Sequence, residues 1–85
     1  MTATEKLVGQ IAHYYSHLHV GIIEITGKGL DIGDVVHIKG QHTDFTQPVE
    51  SLQVEHTDIR HADIGKSVGM RVLEKVREHD RLYLV

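Results

Sequence analysis

The chain is 85 residues long, with 9 Lys and Arg against 12 Asp and Glu, no cysteine and a net charge of −3 with histidine neutral. That length makes one domain spanning residues 1–85, near the size where a single core still holds a fold without staples. Without cysteine there is neither a disulfide framework nor a thiolate zinc site, and the net charge excludes sequence-blind capture of nucleic acid, leaving only a local basic patch for that purpose.

Val, Ile and Tyr crowd the stretch from Lys6 to Ile25 without a sustained helical period. Two strands fit, Leu7 to Ser16 and His19 to Thr26, the second with Gly21, Ile23 and Ile25 on one face. Gly9 inside the first marks a bulge or a close backbone approach. After the turn at Gly27, Lys28 and Gly29, the phrase Leu30-Asp31-Ile32-Gly33-Asp34 is a tight turn feeding a third strand, Asp34 to Lys39, with Val36 and Ile38 inward.

A polar turn over Gly40 to Asp44 leads to a long strand from Phe45 to His56. It holds Pro48, which lacks an amide proton and belongs at an edge, bulge or corner. The odd spacing of Val49 and Leu52 also asks for a bulge. Beyond the loop Thr57 to Lys66, a second turn phrase, Ala62-Asp63-Ile64-Gly65, feeds a strand over Ser67 to Leu73 with Val68 and Met70 inward. A last strand, Arg81 to Val85, turns Leu82 and Leu84 to the core. Good helix formers occupy Val72 to His79, a run too short for an independent helix. Strands separated by closely spaced turn signals predict an all-β barrel, with Val36, Ile38, Val54, Val68, Met70 and Leu82 meeting in its core.

The Leu30 to Ile38 phrase, the Ala62, Gly65, Val68, Gly69 phrase and the closing turn Val76 to Asp80 before Leu82 together resemble the β-barrel that follows the GTPase domain in elongation factor Tu, initiation factor two and their relatives. Similar barrels close the collagenase-like peptidases and occur as short translation-factor-like proteins, and Ile11-Ala12-His13-Tyr14-Tyr15 looks closer to those. The resemblance covers the chain from Val8 to Val85. It implies a six-stranded, closed, Greek-key-like barrel of the translation-protein type, and a non-catalytic binding module that contacts RNA or ribosomal components. Its alternative is a protein-interaction or assembly module acting on a partner enzyme without RNA. No Gly-rich phosphate loop with its Lys-Ser/Thr is present, so no GTP binding by this chain is expected.

Lys39, His42, Arg60, His61 and Arg71 are the cations expected to form a binding surface, with Lys39 approaching the loop that bears Arg60 and His61. Tyr14 and Tyr15 point to opposite faces of one strand, so one of them is free to stack on a base or anchor a partner. A protein-docking surface would instead centre on Val20 and Ile22. His13, His17 and His19 lie close in sequence, but a closed zinc site wants four ligands and no acidic residue lies in the stretch, so neither a metal nor a cofactor is expected. His42, Thr43 and Asp44 are adjacent turn residues whose side chains diverge, and no serine sits in a nucleophile elbow, so no catalytic residue is expected. No apolar run approaches the roughly 18 residues of a membrane span and no signal-type stretch follows Met1, which leads to a cytoplasmic location.

Overall fold

Ten strands follow one another in the computed structural model, which describes residues 5–85; the expectation about the opening residues 1–4 falls outside the described residues. They are β1 (Lys6–Tyr15), β2 (Val20–Ile25), β3 (Leu30–Asp31), β4 (Val35–Lys39), β5 (Asp44–Pro48), β6 (Gln53–Val54), β7 (Thr57–Asp58), β8 (His61–Ala62), β9 (Ser67–Arg71) and β10 (Arg81–Leu84). Eight form one sheet in the order β5-β4-β10-β1-β2-β9-β6-β7, and β3 pairs with β8 alone. The fold is all-β. Four of the strands are two-residue pairings, and three of them, β3, β7 and β8, lie in segments that alternation alone reads as turn or loop.

β1 is the spine, paired antiparallel to β10 on one side and to β2 on the other, with register shifts between Leu7 and Gly9 and between Ile11 and His13. The first shift is where the sequence calls for one. A Cβ on Gly9 would overlap the Glu24 carbonyl oxygen of β2, so only glycine lets the two backbones meet there. β2 presents Gly21, Ile23 and Ile25 to the interior, and the buried set includes Val36, Ile38, Val68, Met70 and Leu82. Two expected core residues are only half-buried, Leu84 in β10 and Val54, which belongs to the two-residue β6 at the sheet margin.

The long strand expected over Phe45 to His56 stops at Pro48. Beyond it the Val49 amide donates to the Asp34 carbonyl and Gly33 donates to the Val49 carbonyl, which draws the chain across the Leu30–Asp34 turn and buries both Val49 and Leu52. Gly33 and Gly65 hold φ of 97° and 94°, the left-handed turn geometry their phrases require. His79 takes φ of 75° in the last turn. The stretch from Val72 to His79 forms no helix: Val72 and Val76 are buried, and the Val72 amide donates to the His19 carbonyl.

Among the described residues no strand pair joins the two ends of the eight-stranded sheet, so the expected closed ladder of six strands is not what the backbone shows. The sheet curls until a side chain bridges its two halves. Gln47 of β5 is buried, its Nε2 donates to the Arg71 carbonyl at 2.9 Å, and its Oε1 accepts from the Leu73 amide at 2.8 Å. Bonding to residues on either side of Val72 is how one residue of a parallel strand pairs with its neighbour, so this amide stands in for a missing peptide group.

Candidate functional site: a groove between two hairpin tips

The outer face of β2 carries Val20 and Ile22, both half-buried, beside Ser67 and Gly69 of β9. They floor a groove of about 440 Å³. One wall is the end of β1 with its turn: Tyr15 and Leu18 are 47% and 61% exposed, large apolar groups left open to solvent. The His13 ring meets Tyr15 edge to face, with centroids 4.4 Å apart, and so fixes that wall. The other wall is Gln53, Glu55 and His56 of the β6–β7 hairpin. Its two-residue loop has φ of 51° at Glu55 and 65° at His56, the geometry of a type I′ turn, which favours Asn and Gly. Holding two ordinary residues there costs about 1 kcal/mol each, and such strain concentrates at binding sites.

Tyr14 packs against the core while Tyr15 is exposed, as opposite faces of one strand dictate. Of the cations expected to form a binding surface, Lys39 and His61 are each engaged by carboxylates. The Lys39 ammonium lies 3.0 Å from Glu5 and 4.8 Å from the centre of the Tyr83 ring, and it stands about 13 Å along β4 from Val35, the end nearer Asp31 and His61. His61 is held between Asp31 and Asp63 at 2.6 Å each. Arg60 is exposed beside it, and Arg71 ends β9 opposite Val20. His42 borders a separate hollow of about 210 Å³ with Arg77 and His79. Among the described residues no three His, Asp or Glu side chains converge as metal ligands. The groove walls Leu18, Glu55 and His56 escape sequence reading, because two turns distant in sequence have to meet before they share a surface.

Electrostatics acts elsewhere, at two clamped imidazoles. His37 bonds Asp44 through Nε2 and Glu5 through Nδ1, both at 2.5 Å, and these carboxylates raise its pKa above the ordinary 6.5. Asp31 and Asp63 do the same for His61. Glu5 is lowered below its ordinary 4.5 by hydrogen bonds to His37 and Lys39. A raised histidine contributes stability that is complete below 6.5 and lost as pH climbs through the folded value. A lowered carboxylate contributes above 4.5 and fails as pH falls through its own folded value. The clamp is therefore intact from pH 4.5 to 6.5. Urea unfolding should give a higher midpoint near about pH 6 than near about pH 8.5, with His37→Gln/His61→Gln removing most of the difference. A slope of the opposite sign, or one the double replacement leaves intact, would refute this.

No profile of a known protein family matches the chain. Its fold is that of the C-terminal domain of a predicted U32 peptidase from Geobacillus thermoleovorans. Two crystal structures of that domain, one a selenomethionine variant, superpose with TM-scores of 0.87 and 0.85, covering 100% and 91% of this chain and 98% and 96% of theirs, at 17% and 18% identity. In sequence the chain is 35% identical over 79 residues to an uncharacterized protease, MJ0090, of Methanocaldococcus jannaschii, and 36% identical over 83 residues to a collagenase of Porphyromonas gingivalis. Those matches take in 92% and 96% of this chain but only 19% and 23% of the relatives, so it spans about a fifth of their length. The expected likeness to the barrel of collagenase-like peptidases is the one these comparisons support.

Proposed function

We propose that the chain is a non-catalytic docking module that engages a peptidase-type protein body through the groove between the β1–β2 and β6–β7 tips. The observation that carries this reading is the groove itself, an apolar floor of Val20 and Ile22 open to solvent and walled by Tyr15 and Leu18. Exposed aromatic and aliphatic side chains around a hollow are what a protein interface uses as anchors. The relatives add the nature of the partner: a protease and a collagenase, each about four-fifths made of chain that this module does not match. Two of the cations an RNA surface would use, Lys39 and His61, are instead engaged by carboxylates.

The test is a photo-crosslinking residue at Leu18 in the host cell, with a second at Arg60 as an off-groove control and mass spectrometry of the products. The Leu18 position should crosslink to a protein with a peptidase-type body, and Val20→Asp should abolish the product. Products on RNA, on an unrelated protein, or equal from both positions would overturn the reading, as would the absence of any product.

A further inference from the structure

The sheet face that floors the groove has a charge order set by strand register, with Glu55 in the groove lining and the exposed Glu24 and Arg71 flanking it at its two ends. In the β2–β9 ladder Glu24 faces Ser67, Ile22 faces Gly69 and Val20 faces Arg71, while Gln53 of β6 meets Gly69 from the other side. Beyond Gln53 the strand ends, and Glu55 in the turn lines the groove together with Ser67. On the opposite side the Arg71 amide donates to Ser51 Oγ, so Ser51 shares the level of Arg71. Three rungs result, about 7 Å apart by the rise of two residues. The first carries two carboxylates, the second is apolar, and the third carries a guanidinium.

Gly69 makes the middle rung hollow. A Cβ there would stand 3.3 Å from Val20 Cγ1 and 3.7 Å from Ile22 Cδ1, in the space an incoming side chain would use. Glu24, Glu55 and Arg71 enter no ion pair among the described residues. Charges of one sign at one end and of the other at the far end select a complementary order in the occupant and discriminate against uniform charge.

Resting on the docking reading above, we propose that the groove takes an extended segment of the partner protein in which a bulky apolar side chain stands two residues from a basic residue on one side and two from an acidic residue on the other. The apolar side chain fills the hollow over Gly69, the basic residue lies between Glu24 and Glu55, and the acidic residue meets Arg71. The spacing follows from an extended chain rising at the same rate as the strands beneath it.

Four fluorescent peptides with blocked ends and neutral polar residues at x test this by anisotropy against the full chain: K-x-L-x-D, D-x-L-x-D, K-x-L-x-K and K-x-S-x-D. The first should bind at least about tenfold tighter than the others, the scale of one lost charge-assisted or apolar contact. Glu24→Lys/Glu55→Lys should move the preference to D-x-L-x-D. Gly69→Val should abolish binding at an unchanged circular dichroism spectrum, because the added methyls occupy the hollow, where the tightest contact of a Cβ is the Val20 side chain at 3.3 Å and the nearest backbone atom, the Gln53 carbonyl oxygen, stands at an ordinary 3.8 Å. Equal binding of the four, a preference the double lysine variant leaves in place, displacement of K-x-L-x-D by single-stranded RNA, or no peptide binding at all would each overturn the charge-ordered occupant. The crosslink from Leu18 decides the docking reading separately, so either can fail without the other.

Discussion

Gln47→Leu should lower stability by about 2 to 5 kcal/mol, although leucine nearly matches glutamine in volume. The substitution leaves two backbone groups, the Arg71 carbonyl and the Leu73 amide, facing a side chain that cannot bond them. Each unsatisfied buried group costs about 1 to 3 kcal/mol, and the Gln47 side of both bonds is closed to water at 3% exposure, although Arg71 and Leu73 are themselves exposed residues. Gln47→Glu separates the two bonds. Its carboxylate still accepts from Leu73, but its second oxygen meets the Arg71 carbonyl, so this variant should be the less stable of the two near neutral pH. It should recover as acid protonates the carboxyl and restores a donor. Burial and the facing carbonyl raise the folded pKa of that carboxyl, so the recovery comes as pH falls through it. Urea midpoints across pH measure both effects. A leucine variant within about 0.5 kcal/mol of the parent would mean that the amide does not hold the seam.

Gly9→Ala should be comparably severe. The new methyl would overlap the Glu24 carbonyl oxygen, and that oxygen belongs to a central ladder whose strands are paired on both sides. Relief requires moving β1 away from β2 along the spine of the sheet, so the loss should reach about 3 kcal/mol or more, the upper range for overpacking. In a domain of this size that is a drop in melting temperature of about 12 to 24 °C. Gly33→Ala is the control: nothing lies within 4 Å of its added methyl, and only the left-handed φ of 97° opposes it. Its loss should stay near about 1 to 2 kcal/mol. Equal losses at Gly9 and Gly33 would show that backbone conformation, and not crowding, decides both.

Most of the sheet is legible in local sequence, because alternation and turn chemistry are local. Val36 and Ile38 announce β4, Gly33 and Gly65 announce their turns, and Gly9 marks the bulge. What escapes is whatever depends on distant segments meeting. The pairing of β3 with β8 is two residues long on each side and leaves no period to read. Val54 looks like a core residue until the break after Pro48 places it at the sheet margin. Gln47 reads as an ordinary polar residue of an alternating strand, and only the curl of the sheet gives its amide two partners. The groove is half legible: Tyr15, Val20 and Ile22 stand out as apolar residues on the outward faces of their strands, whereas the facing wall of Glu55 and His56 arrives from more than thirty residues away. The surroundings of the cations are only partly legible, for the same reason. The number of cations is plain in the sequence, and Asp63 is a local partner of His61, but Glu5 on Lys39 and Asp31 on His61 come from about thirty residues away, and no spacing rule foretells those two.

A sheet whose ladder stays open has two free margins, and free margins invite strand addition by neighbouring molecules and hence aggregation. At one end β7 is only two residues long, too brief to template another chain. At the other, β5 begins with the charged Asp44 and ends with Pro48, which has no proton to offer a ladder, while Gln47 directs its amide inward. The brevity of one edge strand and the composition of the other are thus the features that work against strand addition where the ladder is left open.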